Sequence, residues 1–272
     1  MHSAARLFLL LAAALLLSTA PAARAQETEN QKNFSYVPGA SNGPENWSKL
    51  NTSWAKCNKG EMQSPIDLAH ERVRLMRNLG YLNYSYRPAE ANIVNRGHDI
   101  AVEFTGNAGR LVINGKVYQL KQLHWHSPSE HTVDGRRYDM ELHLVHDDGN
   151  NTAVIGLLYV IGNPDPFLRT LEQFIKRIAD RKDKSEPIGM VDPRLAKSQD
   201  AVYYRYLGSL TTPPCTEGVI WTVFKRVRTV AKYQLDLLRE AVADGFENNA
   251  RPLQKLNNRN ISIFIPNPIK KD

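Results

Sequence analysis

Along most of the chain, apolar residues alternate with polar ones or gather in short runs, each closed by Gly, Asn, Asp or Pro. The runs YLNYSY (81–86), DIAVEF (99–104), RLVINGKVYQL (110–120), MELHLVH (140–146), TAVIGLLYVIG (152–162), YYRYLGSL (203–210), VIWTVF (219–224) and ISIFI (261–265) are rich in Val, Ile, Tyr and Phe. Their period and content predict strands. Two stretches have the helical period instead. Residues 165–182 set Phe167, Leu171, Phe174, Ile175 and Ile178 on one face, and residues 233–243 do the same with Leu235, Leu238 and Val242. The stretch 30–50 is polar, rich in Gly, Pro and Asn, and reads as an irregular wrap anchored by Trp47, with Trp54 beyond it. No repeat and no low-complexity linker interrupts the pattern. The expected architecture is mainly β (α+β): a single domain on a large mixed, mostly antiparallel central sheet, with short peripheral helices.

The N-terminus breaks this pattern. Residues 1–25 read as a secretory signal, with Arg6, the apolar run LFLLLAAALLLSTA and small residues ending AARA before Gln26. The run is too short for a membrane span. The mature domain is therefore expected to be 26–272, soluble and without a membrane segment. Export makes the isolated pair Cys57 and Cys215 read as a disulfide, and no CxxC spacing offers a metal or redox alternative. Closing so long a loop is worth roughly 4 to 5 kcal/mol in the chain-entropy model. Six N-x-S/T sequons, at Asn33, Asn46, Asn51, Asn83, Asn150 and Asn260, suit a secreted glycoprotein. The formal charge is +7, of which Arg6 and Arg24 of the leader carry two units. The remaining excess is scattered among acids with no nucleic-acid motif, so nucleic acid is not an expected partner.

Five of the eight histidines fall between Leu123 and His146, in LHWHSPSEHTVDGRRYDMELHLVH. On a strand, His124 and His126 project to one face and Leu123 and Trp125 to the other. A second strand from Met140 puts Glu141, His143 and Val145 on one face. If the turn around Asp134-Gly135 lays the two strands in one sheet, His143 completes a set of three imidazoles. Three neutral imidazoles on a rigid sheet suit zinc and leave a fourth position open. His131 and His146 read as core histidines, since His146 is an odd step from His143. A rival reading takes HWHSPSE as the cupin pattern, with Glu130 as a ligand. The flanking glycines and a later PxG segment with its histidine are missing for that.

Taken together, FSYVPGASNGPENW, QSPIDL, NRGHDIAVEF, QLHWH, SEHTVDGRRYDMELHLVH, GSLTTPPCTEGVIWTV and NNARPLQKLNNR resemble α-type carbonic anhydrases, in the family's order and over nearly all of the mature chain. SPSEHTVDGRRYDMELHLVH and DPFL are similar to the secreted plant subgroup in particular. The resemblance implies a zinc enzyme that interconverts carbon dioxide and bicarbonate. His124, His126 and His143 match the zinc ligands. Gln122 and Glu141 match groups that orient ligand histidines through their remaining ring nitrogens, and Asn249 matches a residue whose backbone carbonyl does so.

Thr211 matches the hydroxyl that accepts from zinc-bound hydroxide and donates to Glu130. Val145, Val154, Leu210, Val219 and Trp221 match the apolar wall for carbon dioxide, and Thr212 a neighbour that helps bind bicarbonate; read alone, the apolar five are simply core. His98 matches the proton shuttle, suited to neutral pH by an ordinary imidazole pKa. Asn95 and Tyr36 match positions of the connecting water network. Arg96 and Ala101 depart from the family's usual polar wall beside His98. A Cys57–Cys215 bridge would tether the loop of Leu210 and Thr211. The helix near Tyr233 follows VAK where plant relatives have a Ser-Pro start, a cap worth about 1 kcal/mol.

Related plant proteins with a lost ligand serve in storage or defence, and this chain keeps all three histidines. The address implied is the secretory pathway and the extracellular space, or a plastid reached through that route. The sequence gives no oligomeric state.

Overall fold

The alternating runs pair into one twisted sheet in the computed structural model, which describes residues 34–267. The expected leader and the Asn33 sequon lie outside those residues. In chain order the strands are β1 (Val73–Leu75), β2 (Asn83–Tyr86), β3 (Ala89–Asn95), β4 (Ile100–Phe104), β5 (Gly109–Ile113), β6 (Lys116–His126), β7 (Thr132–Val133), β8 (Arg136–Arg137), β9 (Met140–Asp147), β10 (Thr152–Ile161), β11 (Ser185–Val191), β12 (Tyr203–Ser209), β13 (Glu217–Phe224), β14 (Arg228–Val230) and β15 (Ile261–Phe264). The main path across the sheet is β1-β15-β12-β13-β10-β9-β6-β4-β3-β11. Most neighbours are antiparallel, with parallel pairs at β1/β15, β10/β13 and β10/β14. The sheet is mixed and mostly antiparallel, as the alternation predicts. The short edge strands β1 and β11, and the strand β3 that precedes NRGHD, were not among the runs read from the sequence.

Local chemistry explains the joints. Asn114 and Gly115 both take positive φ, 50° and 77°, the two-residue turn that joins β5 to β6 without splaying them. Asp134 and Gly135 do the same between β7 and β8, at φ 50° and 75°.

Among the described residues four α-helices sit at the periphery: α1 (Trp47–Leu50), α2 (Lys56–Lys59), α3 (Pro166–Ile178) and α4 (Lys232–Ala241). α1 closes the stretch 30–50 that the sequence reads as irregular, and α2 follows it in residues where the sequence pattern predicts no helix. α3 starts at Pro166 with Asp165 as its cap, the carboxylate accepting from Leu168 N–H at 2.9 Å. It buries Phe167, Leu168, Leu171, Ile175 and Ile178, while Phe174 lies only half-buried under Arg177. α4 lacks a serine cap, and Gln234 supplies part of the missing function. Its Oε1 accepts from Ala231 N–H at 3.3 Å and from Asp165 N–H at 2.7 Å, tying the two helix starts together.

The larger apolar core lies between one face of the sheet and α3 and α4, and takes in Leu123, Trp125, Leu142 and Leu144. A second, smaller core on the other face holds Val145, Val154, Leu210, Val219 and Trp221. No helix of the described residues is long and apolar enough to cross a membrane.

Candidate metal centre

The period of two positions the histidines. β6 and β9 are antiparallel neighbours whose register sets His124 opposite His143 and His126 opposite Glu141. Three imidazoles therefore leave one face, while the intervening Leu and Trp residues enter the larger core on the other. Ring centroids are 5.0 Å apart for His124 and His126, 5.1 Å for His124 and His143, and 4.7 Å for His126 and His143.

One nitrogen of each ring is held by a fixed partner. His124 Nδ1 is 2.8 Å from Gln122 Oε1, His126 Nδ1 is 2.8 Å from the carbonyl of Asn249, and His143 Nε2 is 3.0 Å from Glu141 Oε1. All three partners are acceptors, so each ring donates there and its other nitrogen keeps a lone pair. The potential ligating atoms of the three lie within 4.8 Å of one another. His143 Nδ1 and His124 Nε2 stand 3.2 Å apart, against about 3.3 Å for the edge of a tetrahedron with zinc–nitrogen bonds of ~2.0–2.1 Å. His126 Nε2 is buried without a hydrogen-bond partner among the described residues, a costly state for a lone pair unless a cation takes it. The donor set fits a four-coordinate cation with one position to spare.

Electrostatics divides the rings. Burial holds His124 well below the ordinary imidazole range, in the neutral form that a metal requires. Burial acts the same way at His126, but the charges of Glu130 and Asp99 outweigh it and the net direction is upward. A proton and a cation therefore compete at His126.

Glu141 is the hub. Its Oε2 accepts from the backbone N–H groups of Glu130 (2.9 Å) and His131 (2.8 Å), and its Oε1 meets His131 Nδ1 at 2.7 Å as well as His143. Burial alone would raise this carboxyl; His131 and His143 hold it well below the usual range. The contacts continue from His131 Nε2 to Tyr206 Oη at 2.6 Å and on to Ser64 Oγ at 2.8 Å. His131, read from the sequence as an ordinary core histidine, thus braces the carboxylate behind His143. Tyr206 and Ser64 were not singled out at all, and their only sequence signal is polarity inside strand-like or QSP segments.

The β12–β13 loop carries Leu210, Thr211 and Thr212, all buried, with Leu210 in the smaller core beside Val145 and Trp221. Leu210 N–H donates to Thr216 O at 3.0 Å and Cys215 N–H to Thr212 O at 2.9 Å. The Cys57–Cys215 disulfide closes this loop onto α2. Glu130 Oε1 accepts from Arg251 N–H at 2.9 Å, while Oε2 is buried with no partner among the described residues and lies 3.7 Å from His126 Nε2. The hydrogen bond from Thr211 to Glu130 that the resemblance implies is therefore not formed here. Val154 pairs with Val145 on one side and Trp221 on the other, and the Trp221 ring is 4.8 Å from that of His143. The five apolar positions converge beside the imidazoles.

The turn between β3 and β4 carries His98. Its ring packs edge-on to Phe34 at 5.7 Å, and its Nε2 is 3.4 Å from Asp99 Oδ2. Tyr36 belongs to the same aromatic cluster, 5.6 Å from Trp47. Asn95, expected in a water network, is instead a structural anchor. Its Nδ2 donates to the carbonyls of Ile178 (3.0 Å) and Ala241 (2.7 Å), and its Oδ1 accepts from Gly97 N–H at 2.8 Å. With the amide so committed to backbone, no donor remains for solvent. Ala101 faces His124 across the ladder.

A central sheet of this strand order, with three imidazoles on adjacent strands backed by an amide, a carbonyl and a carboxylate, defines a carbonic anhydrase fold. The chain belongs to the eukaryotic-type carbonic anhydrases, whose family model matches residues 42–264. Alpha carbonic anhydrase 5 of Arabidopsis thaliana is 51% identical to it over 244 residues, 88% of each chain. The crystal structure of dioscorin complexed with ascorbate is similar at a TM-score of 0.83 and 48% identity, covering 85% of this chain and 97% of that one. The α-carbonic anhydrase of Thermovibrio ammonificans, in complex with the inhibitor sulfanilamide, is similar at a TM-score of 0.76 and 35% identity, covering 84% of this chain and 98% of that one.

Proposed function

We propose that this chain is an active, zinc-dependent carbonic anhydrase, with zinc held by His124 Nε2, His126 Nε2 and His143 Nδ1. The observation that carries the reading is the 3.2 Å separation of His143 Nδ1 and His124 Nε2 beside the unpartnered His126 Nε2. Zinc, when bound, acidifies water so that hydroxide is available near neutral pH, an effect for which carbonic anhydrases are the standing example. Gln122, Asn249 and Glu141 keep the three rings in the tautomers that present lone pairs inward. Val145, Val154, Leu210, Val219 and Trp221 give carbon dioxide an apolar seat. Thr211 orients the attacking oxygen, Glu130, whose Oε2 has no hydrogen-bond partner among the described residues, serves as the acceptor for its hydroxyl, and Thr212 helps hold bicarbonate. His98, fully buried beside Phe34 in this structure, would have to turn outward to carry the released proton to solvent. Residues 1–25 route the domain 26–272 to the secretory pathway, where the disulfide forms and sequons are modified.

Stopped-flow hydration of carbon dioxide by the mature, oxidised protein, before and after zinc removal, tests the reading. Fast hydration that disappears with zinc and returns on its addition is the expected result. His143→Gln should lose zinc and activity together; activity in metal-free protein would sink the mechanism. The likeness to dioscorin supports a second reading, a catalytically weak storage or defence protein on the same fold. Negligible hydration by protein shown to contain one zinc would favour it.

A further inference from the structure

At β2, β5 and β6 the sheet turns one face to solvent. Tyr84, Leu111 and Tyr118 pair across the three strands and pack into the larger core. Their neighbours in each strand point the other way, so Asn83, Val112 and Val117 form one outward row, and Ser85, Arg110 and Gln119 form a second beside it. The second row borders a cleft of about 340 Å³ lined by Ser85, Arg87, Asn107, Gly109, Arg110 and Gln119. Gly109 lets the two strands meet this closely: its φ is 111°, and a Cβ there would stand 2.1 Å from Ser85 O. The cleft offers more donors than the protein uses. Arg87 commits only Nε, to Asn107 O at 3.0 Å, and the Arg110 guanidinium has no hydrogen bond or ion pair among the described residues. Asn107 Oδ1 accepts from Gly109 N–H at 3.1 Å, which leaves Nδ2 to the cleft. No carboxylate lines it. Guanidinium and amide groups without a competing acid suit a ligand rich in hydroxyl and carbonyl oxygens.

One source of such a ligand is built into the same face. Asn83 opens the sequon Asn83-Tyr84-Ser85, is exposed, and its amide makes no hydrogen bond among the described residues. It lies two residues from Ser85, about 7 Å along the strand. Resting on the secretory routing given above, we propose that Asn83 carries an N-linked glycan whose first N-acetylglucosamine units are held in the cleft of Arg87 and Arg110. Attachment forms a bond from Asn83 Nδ2 to the anomeric carbon of an oligosaccharide and breaks that carbon's bond to a lipid pyrophosphate donor of the secretory pathway. The displaced Nδ2 proton goes to the leaving pyrophosphate, so no oxidant or reductant is needed. Once attached, the sugar's hydroxyl and acetamido oxygens can accept from the two guanidinium groups and from Asn107 Nδ2. The tether makes weak contacts sufficient. At an effective concentration of about 4 mM, against a Kd of about 1 mM for the untethered sugar, the seat is filled about four-fifths of the time.

The test takes the full chain made through a secretory route, maps its glycopeptides, and measures how fast a peptide-N-glycanase releases the Asn83 glycan from folded protein. Asn83 should be occupied. Its glycan should leave about five-fold faster from Arg87→Ser/Arg110→Ser than from the parent, the ratio expected when a seat filled four-fifths of the time is removed. Both arginines are exposed, so the variant should fold, and its urea midpoint checks that it does. Equal release rates would overturn the seat, and so would Asn83 found bare in a chain that has lost its leader and carries glycans on other sequons. Equal rates together with stabilisation of the deglycosylated parent, but not of the double variant, by inorganic phosphate would make the cleft an ion site instead. A chain that keeps residues 1–25 and carries no glycan would overturn the secretory reading, and the seat with it.

Discussion

Gly156 lies across the ladder from His143, and a Cβ at Gly156 would stand 2.8 Å from Glu141 Oε1. The carboxylate has little freedom to yield, because two backbone N–H groups and two imidazoles already hold it. Glycine here keeps open the space in which the hydrogen-bond partner of His143 sits.

Gly156→Ala should therefore act on metal binding more than on the fold. Disturbing a partner behind a ligand histidine weakens metal affinity by about 10–100-fold. Competition for zinc against a chelator of known affinity measures this. An unchanged dissociation constant would show that Glu141 can shift without moving His143.

His146 lies on the opposite face, its Nε2 2.8 Å from Tyr86 Oη, and burial depresses its pKa to about 4. The sign follows from which state binds the proton. Above the ordinary value of about 6.5 both folded and unfolded chains are neutral here and the contribution is whole. As pH falls from there toward 4 the unfolded chain takes a proton that the folded one refuses, costing about 3 kcal/mol in total. Urea midpoints from pH 7 to 4.5 should fall less steeply in His146→Gln than in the parent. Parallel slopes would show that His146 is not the titrating group.

The disulfide joins residues separated by 158 positions. A closed loop of that length restricts the unfolded chain by about 5 kcal/mol in the chain-entropy model. Cys57→Ser/Cys215→Ser should lose stability of that order in urea titrations and slow hydration by loosening the loop of Thr211. A variant that keeps parent stability would mean that its unfolded state is already compact.

Among the sequons, Asn150 is exposed at the tip between β9 and β10, where Asp148 caps the turn by accepting from Asn150 N–H at 2.9 Å. Asn46 is half-buried and its Nδ2 donates to Ala40 O at 2.9 Å. Peptide mapping of protein made through a secretory route should find a glycan on Asn150 and none on Asn46. The reverse pattern would place modification before this N-terminal segment folds.

The three histidines of the candidate metal centre were legible because a strand's period of two is local. His124, His126, Glu141 and His143 could be assigned to one face from spacing alone, and the β6–β9 register bears that out. α3 and α4 were legible because their apolar period is equally local, although α3 stops at Ile178, before Asp180 turns to φ 55°. What spacing could not show was closure from afar. Tyr206 reaches His131 from 75 residues away. Arg251, fully buried, donates from Nη1 to Gln63 Oε1 and Ser64 O at 2.9 and 2.8 Å and packs over Trp47. Such polar contacts have no period, and an arginine in a polar stretch gives no sign that it will be interior. Asn95 shows the same limit in reverse: the motif placed it beside His98, but only the folded chain reveals which backbone groups claim its amide.

That amide has a consequence for the whole molecule. Asn95 joins the last turn of α3 to the end of α4, and Ala243 N–H closes the same junction on Gly97 O at 2.9 Å. The two helices supply none of the three histidines of the candidate metal centre, yet they form the mount from which the His98 turn is hung. Changes made on either helix for heat tolerance or expression would travel through this joint. They would appear as altered recovery of the site between turnovers, with the metal still firmly in place.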